Sequence, residues 1–181
     1  MKKSIMLFAA IVLVAGLTTT VMAQTSATVA ATAAGAKLIV PMTLTQTAPL
    51  HFGTINVLLG AGGTCLLPSN STTRVFSAGL ATSAVAPVAT NAAYNVTGTR
   101  NVTYALTLPP TITVTEIVGA VATMSIGTLT ARFNGAGADA ITSTLSATGT
   151  DSFTLGGTLT VAAAQVPGVY AGTFPVSIDY N

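Results

Sequence analysis

The residues able to titrate, coordinate or attack are few in this chain, and their spacing does not assemble catalysis. One histidine, His51, one cysteine, Cys65, and four carboxylates, Glu116, Asp139, Asp151 and Asp179, supply most of what chemistry could use. No two acids lie close together along the chain, and no HExxH, GxSxG, phosphate-loop or CxxC pattern occurs. His51 sits between Leu50 and Phe52 on the opposite parity, so strand alternation turns it to solvent rather than toward a partner. Cys65, within GTCLLP, has no second cysteine to pair with and reads as a small hydrophobe in a short strand. Asp139 and Asp151 flank AITSTLSATGT and come nearest to a calcium pair. Isolated acids in Gly-rich loops serve as turn residues, because the carboxylate bonds local backbone. A sugar platform would need exposed aromatics; Trp is absent and Tyr104, Tyr170 and Tyr180 fall on the inward parity, which leaves only Tyr94. Asn70, Asn95 and Asn101 each begin an N-x-Ser/Thr sequon, a cheap triplet in a Thr-rich chain. No catalytic residue, metal ligand or cofactor is expected, and the chain reads as non-enzymatic.

The elements that would position these residues begin after a leader. Met1-Lys2-Lys3 runs into the apolar stretch Ile5 to Leu17 and then Val21-Met22-Ala23, the pattern of a signal peptide over residues 1–23. An apolar run of that length is short of the roughly 20 residues a spanning helix needs, and no later segment reaches it. Export is therefore expected: the periplasm in transit, then the cell surface or medium. Beyond residue 23, Lys37, Arg74, Arg100 and Arg132 balance Glu116, Asp139, Asp151 and Asp179. A neutral, sparsely charged surface does not steer nucleic acid or anionic lipid, and it favours self-association.

Apolar residues then recur at every second position, so the fold is expected to be all-β. Principal strands are predicted over 36–45, 50–58, 102–108, 122–133, 152–161 and 169–180, with smaller ones over 64–67, 94–98 and 111–115. Gly and Pro punctuate them at intervals of about 10 residues, as in a sandwich or barrel. Residues 79–93, low in complexity, read as a surface loop or loose edge. Residues 36–181 are expected to form one domain, an immunoglobulin-like antiparallel β-sandwich.

The last stretch, VYAGTFPVSIDYN, is among the best patterned. Tyr170, Phe174, Val176, Ile178 and Tyr180 share one parity. Six principal strands fall one short of the seven of an immunoglobulin-like sandwich, so the fold is expected to lack its last strand, leaving an edge and a groove open. Residues 24–35, QTSATVAATAAG, alternate weakly, with Ala27, Val29, Ala31 and Ala33 on one side. A strand with so little apolar surface cannot fix its own place and suits the groove of another subunit, a form of strand addition.

LHFGTI early, YALTLPP in the middle, GGTLTV late and PGVYAGTFPVSIDYN at the end resemble exported bacterial β-sandwich proteins of unknown function, a family similar to spore coat protein U and archaic chaperone-usher pilin domains. That resemblance implies a pilin-like fimbrial subunit, a homopolymer whose C-terminal strand is held by a periplasmic chaperone, at an outer-membrane usher, until a neighbour's N-terminal extension replaces it. Tyr170, Phe174, Val176, Ile178 and Tyr180 would carry the recognition, and Ala27, Val29, Ala31 and Ala33 the donated strand. Such domains usually hold a disulfide that Cys65 alone cannot form. An alanine row also buries little, so either a working donor runs on to Leu38 and Val40 or the extension completes its own sandwich. The alternatives are a self-contained sandwich that binds a glycan or another surface component, and an outer-membrane barrel, for which the aromatic girdles are missing.

Overall fold

Alternation of apolar and short polar side chains produces sheets throughout the domain. The structure, a computed structural model, describes residue 31, residues 33–77 and residues 79–181. The expected signal peptide over 1–23 and the donor positions Ala27 and Val29 lie outside the described residues; Ala31 and Ala33 are exposed and belong to no strand. The chain divides into residues 1–37 and Leu38–Asn181.

Among the described residues there are strands and no helices. The first group comprises β1 (Thr43–Ala48), β2 (His51–Phe52), β3 (Ile55–Val57), β4 (Gly63–Leu67), β5 (Val75–Phe76), β6 (Leu80–Thr82) and β7 (Ala89–Thr90). Then follow β8 (Ala92–Thr97), β9 (Thr103–Thr107), β10 (Thr111–Glu116), β11 (Thr123–Phe133), β12 (Thr142–Thr144), β13 (Thr150–Val161), β14 (Tyr170–Ala171) and β15 (Ser177–Tyr180). A large sheet runs β1-β8-β13-β11-β10-β14, with β4 also on β13 and β5 on β4; a small sheet runs β12-β9-β15. All pairings are antiparallel, and the architecture is a β-sandwich.

β13 is the spine. One edge pairs with β11 over Phe153–Thr160, while the other pairs with β8 over Thr150–Leu155 and with β4 over Gly157–Val161. The exchange happens at Gly156, where a Cβ would run into the Leu67 carbonyl and the Ser69 amide, so only glycine lets the end of β4 pass. The same exchange divides the core. Below it, Tyr94, Tyr104, Phe133 and Phe153 form an aromatic half between the large sheet and β9. Tyr94 stacks on Phe153 at 5.0 Å, and Tyr104 meets Phe133 edge-on at 5.8 Å. Above it, Phe52, Cys65, Leu67, Leu80, Ile112, Val114, Ile126, Leu159 and Val161 form a mainly aliphatic half.

Several expected strands change shape for identifiable reasons. The strand expected over 50–58 is broken at Gly53, whose φ of 71° places it in the left-handed region. There the carbonyls of Phe52 and Thr54 converge on Arg74 Nη1 at 2.8 and 2.7 Å, which gives LHFGTI a structural rather than a chemical role. The segment 79–93, read as a loose loop, carries β6, β7 and the start of β8: Leu80 is buried, and the alanines pair through backbone with little side-chain signal. The run expected over 169–180 is two strands, because Gly172 passes so close to the Thr113 carbonyl that a Cβ would lie 2.6 Å from it, and Pro175 cannot donate to a ladder. β14 therefore closes the large sheet and β15 the small one.

Candidate functional site

Alternation places Phe174, Val176, Ile178 and Tyr180 on the inner side of the terminal segment and leaves Pro175, Ser177, Asp179 and Asn181 exposed. All four inner residues pack against the aromatic half of the core, joined there by Met42, Leu44 and Leu50 from the start of the domain. Each is only half-buried, whereas inner residues of β8 and β13 are closed off from solvent. Among the described strands, β15 pairs only with β9 and β1 only with β8. The last strand thus presents one unpaired backbone edge and a row of apolar side chains covered on one side.

Of the five residues singled out in the terminal stretch, Tyr170 stands apart. It lies on β14 against the aliphatic half, its hydroxyl donating to the Val166 carbonyl at 2.6 Å and accepting from Gln165 Nε2 at 2.8 Å. Phe174 touches both halves. Met42 and Leu44 escape sequence reasoning as members of this cluster, since their alternation fixes a face but not which edge the face adjoins.

A polar clasp ties this edge to the segment before β1. The Tyr180 hydroxyl donates to the Val40 carbonyl at 2.6 Å and accepts from the Thr99 amide at 2.6 Å. Val40 donates its own amide to Thr99 Oγ1 at 2.6 Å. While the Val40 backbone is held, the side chains of Leu38, Ile39 and Val40 are exposed, Leu38 at 85%. Three consecutive large apolar residues thus stand in water before an edge strand.

Several of the titratable groups serve the fold. Asp151 Oδ2 accepts from the Tyr104 hydroxyl at 2.8 Å and Ser143 Oγ at 2.6 Å; burial, with Asp151 beside it, pushes the Tyr104 phenol well up from its ordinary value. Burial pushes the Cys65 thiol up to about 11, against the opposing pull of Arg74, which keeps it protonated and unreactive at neutral pH. Glu116 accepts from the Gly119 and Val118 amides at the β10–β11 turn, and those bonds hold its carboxyl below the usual range. His51 is exposed and accepts from the Gly53 amide through Nδ1 at 2.8 Å. Asp139 and Asp151 bond protein groups rather than facing a shared space, and the described residues hold no cluster of three or more His, Cys, Asp or Glu. Tyr94, left by sequence reasoning as the loose aromatic, is buried on Phe153. No helix among the described residues is long and apolar enough to cross a membrane.

Residues 42–180 match a family model described as a domain of unknown function, DUF4402. The chain finds no match among curated proteins.

Proposed function

We propose, from the premise that this chain belongs to the DUF4402 family, that it is a non-enzymatic structural subunit of a surface filament, pilus or coat, assembled by strand addition along the open edge of β15. The observation that carries this reading is the half-burial of Phe174, Val176, Ile178 and Tyr180 beside an unpaired backbone edge. A strand laid there would gain main-chain hydrogen bonds and cover those side chains, each further 100 Å² of apolar area contributing roughly 2.5 kcal/mol.

The donor would be the extension of another copy, residues 24–35 with Ala27, Val29, Ala31 and Ala33 inward, exposed once a signal peptide over 1–23 is removed. At about 3.3 Å per residue, 24–35 spans about 40 Å, enough to lie along a neighbour's edge. Its alanines bury little, and the exposed Leu38 supplies the larger anchor nearby. A resemblance of LHFGTI, YALTLPP and PGVYAGTFPVSIDYN to spore coat protein U and archaic chaperone-usher pilin domains would imply the same reading. It adds a periplasmic chaperone that guards the β15 edge in transit and an outer-membrane usher that exchanges it, with the polymer delivered to the cell surface.

The test is a denaturing gel of surface extract from cells making the full chain, with and without boiling, repeated with residues 24–35 deleted. A ladder of multiples that collapses on boiling and is absent from the deletion is expected. A single monomer band indifferent to heat and deletion overturns the reading in favour of a solitary sandwich. A single band whose mobility shifts on boiling points instead to a membrane barrel.

A further inference from the structure

On the outer face of the large sheet, turned away from both halves of the core, lies a groove of about 520 Å³. Register explains its shape. Asn95 stands opposite Ser152, while Ala93 stands opposite Thr154, which in turn faces Arg132 on β11. Ala93, Ser152 and Thr154 are short and make a low floor, and Asn70, Arg132 and Asn134 rise around it.

The polar groups at the rim are committed unequally. Asn91, on the same strand region, uses its amide on the Pro68 and Leu155 carbonyls at 2.7 and 3.2 Å. Asn70, Asn95 and Asn134 are exposed, and among the described residues no protein group bonds their side-chain amides. Arg132 is different again: its Nε donates to Asp139 Oδ1 at 2.7 Å, and that same oxygen accepts from the buried Ser69 hydroxyl at 2.6 Å. The guanidinium plane is thereby fixed, with its two terminal nitrogens left for a ligand. Burial would raise the Asp139 carboxyl, but the bonds from Ser69 and Arg132 outweigh it and hold the group below the usual range, so it stays ionised. Arg132 and Asp139 then cancel.

A groove with freely offered donors and acceptors and no net charge selects its ligand by exclusion. An anion finds Arg132 already neutralised by Asp139, a cation meets Arg132 itself, and an apolar molecule strips water from three amides without replacing its hydrogen bonds. A hydroxyl both donates and accepts, as a carboxamide does. We propose that this groove is a binding site for a neutral oligosaccharide, held by Asn70, Asn95, Asn134, Ser152 and the free face of Arg132. The aromatic rings beneath the floor, Tyr94, Phe133 and Phe153, are buried in the core and offer no stacking surface. Affinity per site is therefore low, with a Kd of about 1 mM. The site uses neither β15 nor residues 24–35, so it stands whether or not the chain polymerises.

The test presents the protein without residues 1–23 to immobilised neutral oligosaccharides, namely glucans, galactans and N-acetylglucosamine oligomers, beside uronic-acid oligomers, and maps the strongest binder by amide NMR. Saturable shifts centred on Asn95, Arg132, Asn134 and Ser152 with a neutral series are expected. Asn95→Ala should weaken binding about tenfold. Ala93→Leu, which fills the floor, should abolish it with the far-ultraviolet spectrum unchanged; if that variant does not fold, Asn95→Ala and the shift map decide. No binding to any neutral series, shifts elsewhere, or tighter binding of the uronic acids would overturn the assignment.

Discussion

β13 and β15 are written in the same alternating code, yet they end in opposite situations. β13 is flanked on both edges, by β11 over Phe153–Thr160 on one and by β8 and then β4 on the other, and Phe153, Leu155, Leu159 and Val161 are all buried. Among the described strands β15 is flanked only by β9, and Ile178 and Tyr180 stop at half-burial. Period-two patterning reports which face of a strand looks inward; the number of neighbours decides how far that face is removed from water. A strand patterned for a core but covered on one side is an edge that must be blunted, covered or shared. Little on β15 blunts it: Asp179 is its only charge, and Pro175 lies before it rather than within it.

Truncation should be felt most in β13. Phe153→Ala removes a ring that stacks on Tyr94 and meets Phe133 at 5.4 Å, and should cost about 3–5 kcal/mol. Urea unfolding should show the midpoint collapse. Ile178→Ala, the equivalent truncation on β15, should cost the isolated domain about 1–2 kcal/mol, since a half-exposed side chain loses less on removal. A cost equal to that of Phe153→Ala would mean that the terminal strand is as enclosed as the spine. Tyr180→Phe deletes the hydroxyl that bridges Val40 and Thr99, and should lower stability by about 1 kcal/mol. Hydrogen exchange should then speed up at Val40 and Thr99 and stay unchanged along β13.

The smallest effect concerns the β10–β11 turn, next to β14. Glu116 has its carboxyl held below its ordinary value of 4.5 by the Gly119 and Val118 amides. Its contribution is complete above that value in pH and is lost as pH falls through the lower folded value. Exchange at Gly119 should rise in acid before that of β13, and Glu116→Gln should flatten the dependence.

Much of this architecture was legible. Strands expected over 102–108, 111–115 and 122–133 appear within a residue or two, because Leu106, Val114 and Ile126 carry clear alternation. Cys65 was readable as a buried hydrophobe from its apolar neighbours. The terminal cluster was legible in part: its inward parity held from Phe174 to Tyr180, while the break that sends Tyr170 to the other sheet did not show, because Gly172 yields to a carbonyl of β10 that is distant in sequence. The outer groove was invisible. Asn70, Asn95, Arg132 and Ser152 come from four parts of the chain, and each alone is an ordinary polar residue on a solvent face.

By itself the sequence determined that this chain is made of strands, which side chains each strand turns inward, and that chemistry-bearing groups are too sparse and scattered for a recognisable catalytic motif. Those properties are local, set by the two-residue period and by residue type. Only the tertiary structure decided that β13 would exchange β8 for β4 at Gly156, that the last segment would cross between sheets, and that β15 would have one neighbour among the described strands. Pairing is a long-range choice among backbones that all offer the same amides and carbonyls, and it is settled by where the whole chain finds room.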